Sequence, residues 1–163
     1  MIILGLTQGM QPIAGYNYGA RNYERLNEVL ILTIKYATIV CIIGFALCFF
    51  FPGLIARAFT SDEELLARSV HNMRIYFITF PIIGFQVVTS NFFQSIGIVK
   101  KSIFLSLTRQ LIFLLPPLLI FPLWWGCNGV WYAIPTSDIL ATFTTAWLLY
   151  LQLKFFKKNK QRI

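Results

Sequence analysis

Charge is the scarcest property of this 163-residue chain: Lys, Arg, Asp and Glu make up 12% of it, about half of the ~25% usual in soluble domains. Histidine is almost absent. His71 stands alone, with no second ligand at useful spacing, which argues against a metal site. The three cysteines form neither a metal-type nor a disulfide pattern. Cys41 and Cys48 share one apolar run, Cys127 sits apart, and all three read as small hydrophobes. No Gly-rich phosphate loop precedes a helix, no Ser/His/Asp set exists, and acids cluster only at Asp62–Glu64, which reads as a solvated loop. Soluble-enzyme chemistry is therefore excluded, as is an ATP-driven pump, whose nucleotide-binding part is missing. The opening residues Met1–Gly9 lack the basic region and cleavage site of a signal peptide.

What is present is apolar. Hydrophobic residues reach 57%, with 16 Phe, and the mean hydropathy is +0.68. A chain of this size cannot hide that much apolar surface in one soluble core, because a small domain leaves much of its surface exposed. Lipid is the matching solvent. The formal net charge of +8 does not indicate nucleic acid, because the basic residues flank apolar runs and lack the aromatic interleaving that reads bases. They fit the ends of membrane helices instead.

Four runs are long enough to cross a ~30 Å hydrocarbon core at 1.5 Å per residue: Leu26–Phe51, Val70–Gly97, Ser102–Leu123 and Gly129–Leu153. The sequence thus predicts an all-α, polytopic transmembrane bundle. Gln11–Ala20, rich in glycine and turn formers, reads as the connector before the first run. Residues 23–35 mix charged and apolar positions at helical spacing, like an amphipathic extension at the interface, where Lys35 can snorkel toward headgroups. Phe51-Pro52-Gly53 closes the first run, and Thr60–Glu64 looks like a helix start. Gly126–Gly129 reads as a tight turn inside an aromatic belt of Trp124, Trp125, Trp131 and Tyr132.

Arg21, Arg25, Lys100, Lys101 and the basic tail (154–163: Lys154, Lys157, Lys158, Lys160, Arg162) fall on one side. The positive-inside bias makes that side, and the carboxyl terminus, cytoplasmic. Met1–Ala14 then approaches the cytoplasmic face and reads as the last turns of a membrane helix whose first half is absent; a short interfacial segment is the alternative.

Polar groups within lipid must be satisfied inside the protein, so their placement carries the functional signal. Thr79, Gln86, Ser90 and Gln94 share one helical face, as do Ser102, Ser106 and Arg109, and Asp138, Thr142 and Thr145. Gln86, Ser90, Gln94, Arg109 and Asp138 are the candidate cavity residues; for the Ser and Thr members, plain interhelical hydrogen bonding is the stronger reading. Glu28 sits in the first turns of Leu26–Phe51, and Asp138 is the only acid in the other three runs, so it must find a partner or carry a proton. Counted from the inner ends of their runs, Arg109 lies about 12 Å deep and Asp138 about 20 Å. A direct pair thus requires tilt or a bend at Pro135, and hydrogen bonding of Asp138 to polar neighbours competes with it. Pro81, Pro116, Pro117 and Pro135 should each bend a helix, as is frequent in secondary transporters.

The run Gly9–Arg21, with Gln11, Pro12, Gly15, Tyr16, Asn17 and Gly19 as its signature loop, resembles a segment of multidrug and toxin extrusion (MATE) transporters. Asn91-Phe92-Phe93-Gln94-Ser95-Ile96-Gly97 with Lys100-Lys101-Ser102, and Arg109-Gln110 through Gly129-Val130-Trp131 to Pro135–Asp138, also resemble that family's carboxyl-terminal half. The resemblance implies part of the second of two six-helix bundles in an antiporter that exports cationic or amphipathic organic compounds across the bacterial inner membrane. It implies H⁺ or Na⁺ as coupling ion, with an amino-terminal bundle as missing partner. No Asp or Glu lies between Val70 and Gly97, where some family members carry a coupling carboxylate, so the coupling site is not in this chain. A flippase for lipid-linked sugars of similar architecture, or a non-transporting membrane remnant, are the competing readings.

Overall fold

The computed structural model describes residues 1–160. Arg162 of the basic tail lies outside them. The described residues form helices joined by short breaks, without a strand. These are α1 (Ile2–Gly19), α2 (Tyr23–Phe50), α3 (Pro52–Arg57), α4 (Glu63–Phe77), α5 (Phe80–Ser95), α6 (Val99–Leu107), a π-helical segment (Thr108–Leu114), α7 (Leu115–Trp125) and α8 (Cys127–Lys160). Tyr23–Phe50, Val99–Trp125 and Asn128–Lys157 are long and apolar enough to cross a membrane, and α4 with α5 makes a fourth such unit, bent by 48°.

The predicted signature loop is not a loop. Gln11, Pro12, Gly15, Tyr16, Asn17 and Gly19 all lie on α1, which continues without a break to Gly19. One face is repeatedly buried at Thr7, Met10, Ala14 and Asn17, and that tertiary contact outweighs the turn propensity of the glycines. The chain reverses only at Ala20–Asn22, where Arg21 takes a φ of 57° and the Asn22 side chain accepts from the Arg25 amide to start α2. Residues 23–35, read as an interfacial extension, are the first turns of α2 and bury Leu26, Leu30 and Thr33.

Three boundaries differ in the same sense, with helices longer or broken where the sequence suggested turns or straight spans. The second run is two helices meeting at Ile78–Thr79, because Pro81 opens the first turn of α5 and cannot donate a backbone hydrogen bond. The Gly126–Gly129 turn contracts to Gly126, whose φ of 57° suits a residue without Cβ; Cys127 already begins α8. α8 continues past Leu153 to Lys160. Asp62, as expected, caps α4 by accepting from the amides of Glu64 and Leu65.

α5 is the central strut, packed against α1, α2, α6 and α8. Close approach depends on missing side chains, as is common between membrane helices. A Cβ on Gly84 would lie 3.0 Å from the Ala37 backbone of α2, and one on Gly129 would lie inside the backbone of Phe121 on α7. The apolar core gathers Met10, Ala14, Leu26, Leu30, Phe92, Phe93, Ile96, Leu149 and Phe156 toward the basic end. There Tyr23 stacks on Phe156 at 5.2 Å, with Tyr18 beside both, and Lys101 donates to Gln152 at 2.7 Å. The outer face of α2 shows Ile31, Leu32, Tyr36, Ile39, Ile43 and Leu47 to the surroundings, more contiguous apolar surface than a water-soluble monomer carries.

Candidate functional site

The site grows from three interruptions of regular helix. The 48° bend between α4 and α5 places Thr79 at the break. Consecutive Pro116 and Pro117 follow the π segment; their rings crowd the carbonyls four residues earlier and remove two backbone donors, which favours the wider π turn that carries Arg109. Pro135, buried within α8, lies one turn before Asp138.

These elements converge on Asp138, which is 1% exposed. Its Oδ1 accepts from Arg109 Nη2 at 2.8 Å and Nε at 3.0 Å, while its Oδ2 accepts from the Thr79 hydroxyl at 3.2 Å. Both carboxylate oxygens are thus held by donors. The partners are unequally dry, since the Arg109 side chain keeps 35% of its surface against 2% for Asp138. The direct pair therefore forms. Counting from the inner ends misled because it assumed those ends to be level. Counted from the contact of Phe121 with Gly129, Arg109 is twelve residues down and Asp138 nine, an offset of about 4.5 Å that an Arg side chain spans.

Gln86 extends the network. Its Nε2 donates to the Asp138 carbonyl at 2.7 Å and to Thr142 Oγ1, and the Thr142 hydroxyl donates to the same carbonyl at 2.7 Å. The amide orientation is fixed by these acceptors, because a flipped amide would set its oxygen against the carbonyl. Gln86 Oε1 is left buried and without a partner. It belongs to the wall of a cleft of about 200 Å³ between α5, α6 with its π extension, and α8, lined also by Ser90, Ser106, Arg109, Gln110 and Thr145. Ser90 Oγ lies 3.3 Å from Ser102 Oγ and 3.5 Å from Ser106 Oγ.

Of the five candidate cavity residues, Gln86, Ser90 and Arg109 line this cleft and Asp138 lies behind it, bound to Arg109. Gln94 does not join them. It is exposed near the end of α5, two turns beyond Gln86, while its neighbours Phe92 and Phe93 turn into the core. The signature residues lie on α1, and only Gln11 reaches this neighbourhood, with Nε2 3.5 Å from Asn91 Oδ1. Gly15 brings α1 close to the Ser95 carbonyl. Gln110 and Asn91 line the cleft without having been singled out as cavity residues. Their signal was position, one residue after Arg109 and one after Ser90.

A family model described as MatE matches residues 1–118. The multidrug export protein MepA of Staphylococcus aureus (strain MSSA476) is 23% identical over 155 residues, covering 93% of this chain and 33% of that protein. Among solved structures, the MATE multidrug transporter DinF-BH, in a ligand complex, is 46% identical, with a TM-score of 0.86 over 91% of this chain and 33% of that one. The inward-facing conformation of a multidrug resistance MATE family transporter of the MOP superfamily is 26% identical, with a TM-score of 0.88 over 96% of this chain and 37% of that one. The chain spans about a third of the length of the relatives it matches.

Proposed function

Because the chain belongs to the MatE family of membrane transporters, we propose that it is part of a cation-coupled multidrug efflux antiporter, and that the cleft beside Gln86 is its share of the substrate path. The observation that carries this reading is the electrostatics of the cleft wall. Arg109 is the cation there, and Asp138 cancels it at 2.8 Å, so the wall does not repel a positively charged guest. Gln86 lines the cleft, and its Oε1, buried and unpartnered, accepts from the N–H of an organic amine once a small side-chain movement uncovers it, while the serine hydroxyls add adaptable partners. Small cationic or amphipathic compounds fit that chemistry.

A whole carrier needs more than these helices. Alternating access requires two bundles rocking around a shared site, and this chain corresponds to about a third of its relatives, so an amino-terminal bundle is the required partner. The coupling ion, H⁺ or Na⁺, is taken to bind outside these residues. The bilayer is the bacterial inner membrane, with the basic carboxyl end in the cytoplasm. The ion pair weighs against the lipid-linked sugar reading, since a pyrophosphate or phosphate guest requires a cation that is not already neutralised.

The test is a chimera in which this chain replaces the matching third of DinF-BH. Its efflux is measured with a panel of fluorescent organic cations. Efflux above the empty vector, reduced several-fold by Gln86→Leu at equal abundance, is the expected result. An inserted, monodisperse chimera that moves no member of the panel would overturn the assignment and favour the non-transporting reading.

A further inference from the structure

A second cavity, larger than the first at about 460 Å³, opens between the start of α2 and the end of α8. Its wall is built from Tyr23, Asn27 and Ile31 on one side and Tyr150, Lys154 and Lys157 on the other. The face-to-face stack of Tyr23 on buried Phe156 forms the floor. Glu24 also lines the cavity and is itself engaged. Neither the cleft nor the ion pair shares a residue with it.

We propose that this cavity binds the headgroup of one phosphatidylglycerol-type lipid. Three observations point to that class. The cavity joins the same ends of two membrane-crossing helices, where headgroups lie and acyl chains can run down past Ile31 and Tyr150. Its charged lining is two lysines and one glutamate, a sum of +1, which matches the single negative charge of a phosphodiester. Asn27 lines the cavity and its Oδ1 has no donor, so a headgroup carrying a hydroxyl, met by a small turn of the amide, completes it where a bare phosphate ester does not. Lys154 and Lys157 are three residues apart on α8 and therefore share a face, which lets both ammonium groups meet one phosphate. Basic pockets at the cytoplasmic ends of membrane helices suit such headgroups.

The experiment uses the purified full chain in mixed micelles, with bound lipid counted by native mass spectrometry. The probes are phosphatidylglycerol, phosphatidylmethanol (equally charged, no hydroxyl) and phosphatidylcholine. One phosphatidylglycerol per chain is expected, held about fivefold more tightly than phosphatidylmethanol through the one added hydrogen bond. Lys154→Gln with Lys157→Gln should weaken it about 30-fold, and Lys154→Arg with Lys157→Arg should retain it. Arg21→Gln with Lys100→Gln removes the same charge from the same end of the molecule outside the cavity, and should leave retention unchanged. Equal retention of phosphatidylcholine, equal losses in the two Gln pairs, or no loss in the cavity pair would each overturn the proposal. Phosphatidylmethanol binding as well as phosphatidylglycerol would refute the assignment of the hydroxyl to Asn27.

Discussion

Removing either partner of the Arg109–Asp138 pair should have unequal costs, and the inequality follows from their exposure. Arg109→Gln strands a carboxylate whose side chain is only 2% exposed. Thr79 remains as a donor at 3.2 Å, but the charge loses its counterion in a dry site. Breaking a buried pair in this way costs about 3–5 kcal/mol, which at about 2–4 °C per kcal/mol is a fall of roughly 6–20 °C in the unfolding midpoint. Asp138→Asn leaves the guanidinium, which is 35% exposed along the cleft and can turn to water. That variant loses charge-assisted hydrogen bonds worth about 1.5–3 kcal/mol. In the double variant two amides face each other with no stranded charge, so it should be more stable than Arg109→Gln alone. The difference should be about 2 kcal/mol, within the range of coupling seen for contacting residues. The assay is thermal unfolding of the detergent-solubilised chain, followed by fluorescence-detected gel filtration. If Asp138→Asn proves the worse single change, or the double variant falls by the sum of the two, the pair does not work as the geometry implies.

Three further outcomes are expected. Reporter fusions at Asp62 and Asn128 should read outside and one at Lys158 inside, from the Lys/Arg asymmetry; an outside carboxyl terminus would reverse the orientation. Gly84→Val should cost about 1–3 kcal/mol, because its Cβ would meet the Ala37 backbone at 3.0 Å and push α2 from α5, measurable as a lower unfolding midpoint. Expressed alone, the chain should insert yet give no drug resistance over vector, since rocking requires two bundles; resistance in growth assays would point to functional oligomers instead.

The membrane-crossing segments were legible because apolar runs of that length have few alternatives, and the polar faces because a helix fixes which residues align. Gln86, Ser90, Arg109 and Asp138 could be singled out for that reason. Two kinds of information were not local. The first was the depth of each residue relative to another helix: the Arg109–Asp138 offset depends on which ends are level, and the contact of Phe121 with Gly129 decides it. The second was helix continuity. Glycine and proline in Gln11–Ala20 argued for a turn, yet α1 runs through them because Met10, Ala14 and Asn17 are buried against neighbouring helices. The π turn before Pro116 was equally hidden, although the two prolines gave its cause.

The aromatic cluster of Tyr18, Tyr23 and Phe156 also sets a timetable. Tyr23 and Phe156 are 133 residues apart in sequence (156 − 23). At ~5–20 residues per second the ribosome takes roughly 7–27 s to deliver the second ring after the first. During that interval α1 and α2 are already made, with the ends that carry Tyr18 and Tyr23 unclasped and open to any quality-control protease that reaches them. A carboxyl-terminal truncation by as few as eight residues removes Phe156 for good, turning a transient opening into a permanent one. Turnover in the cell should therefore be far more sensitive to the last turns of α8 than their position at the chain's edge suggests.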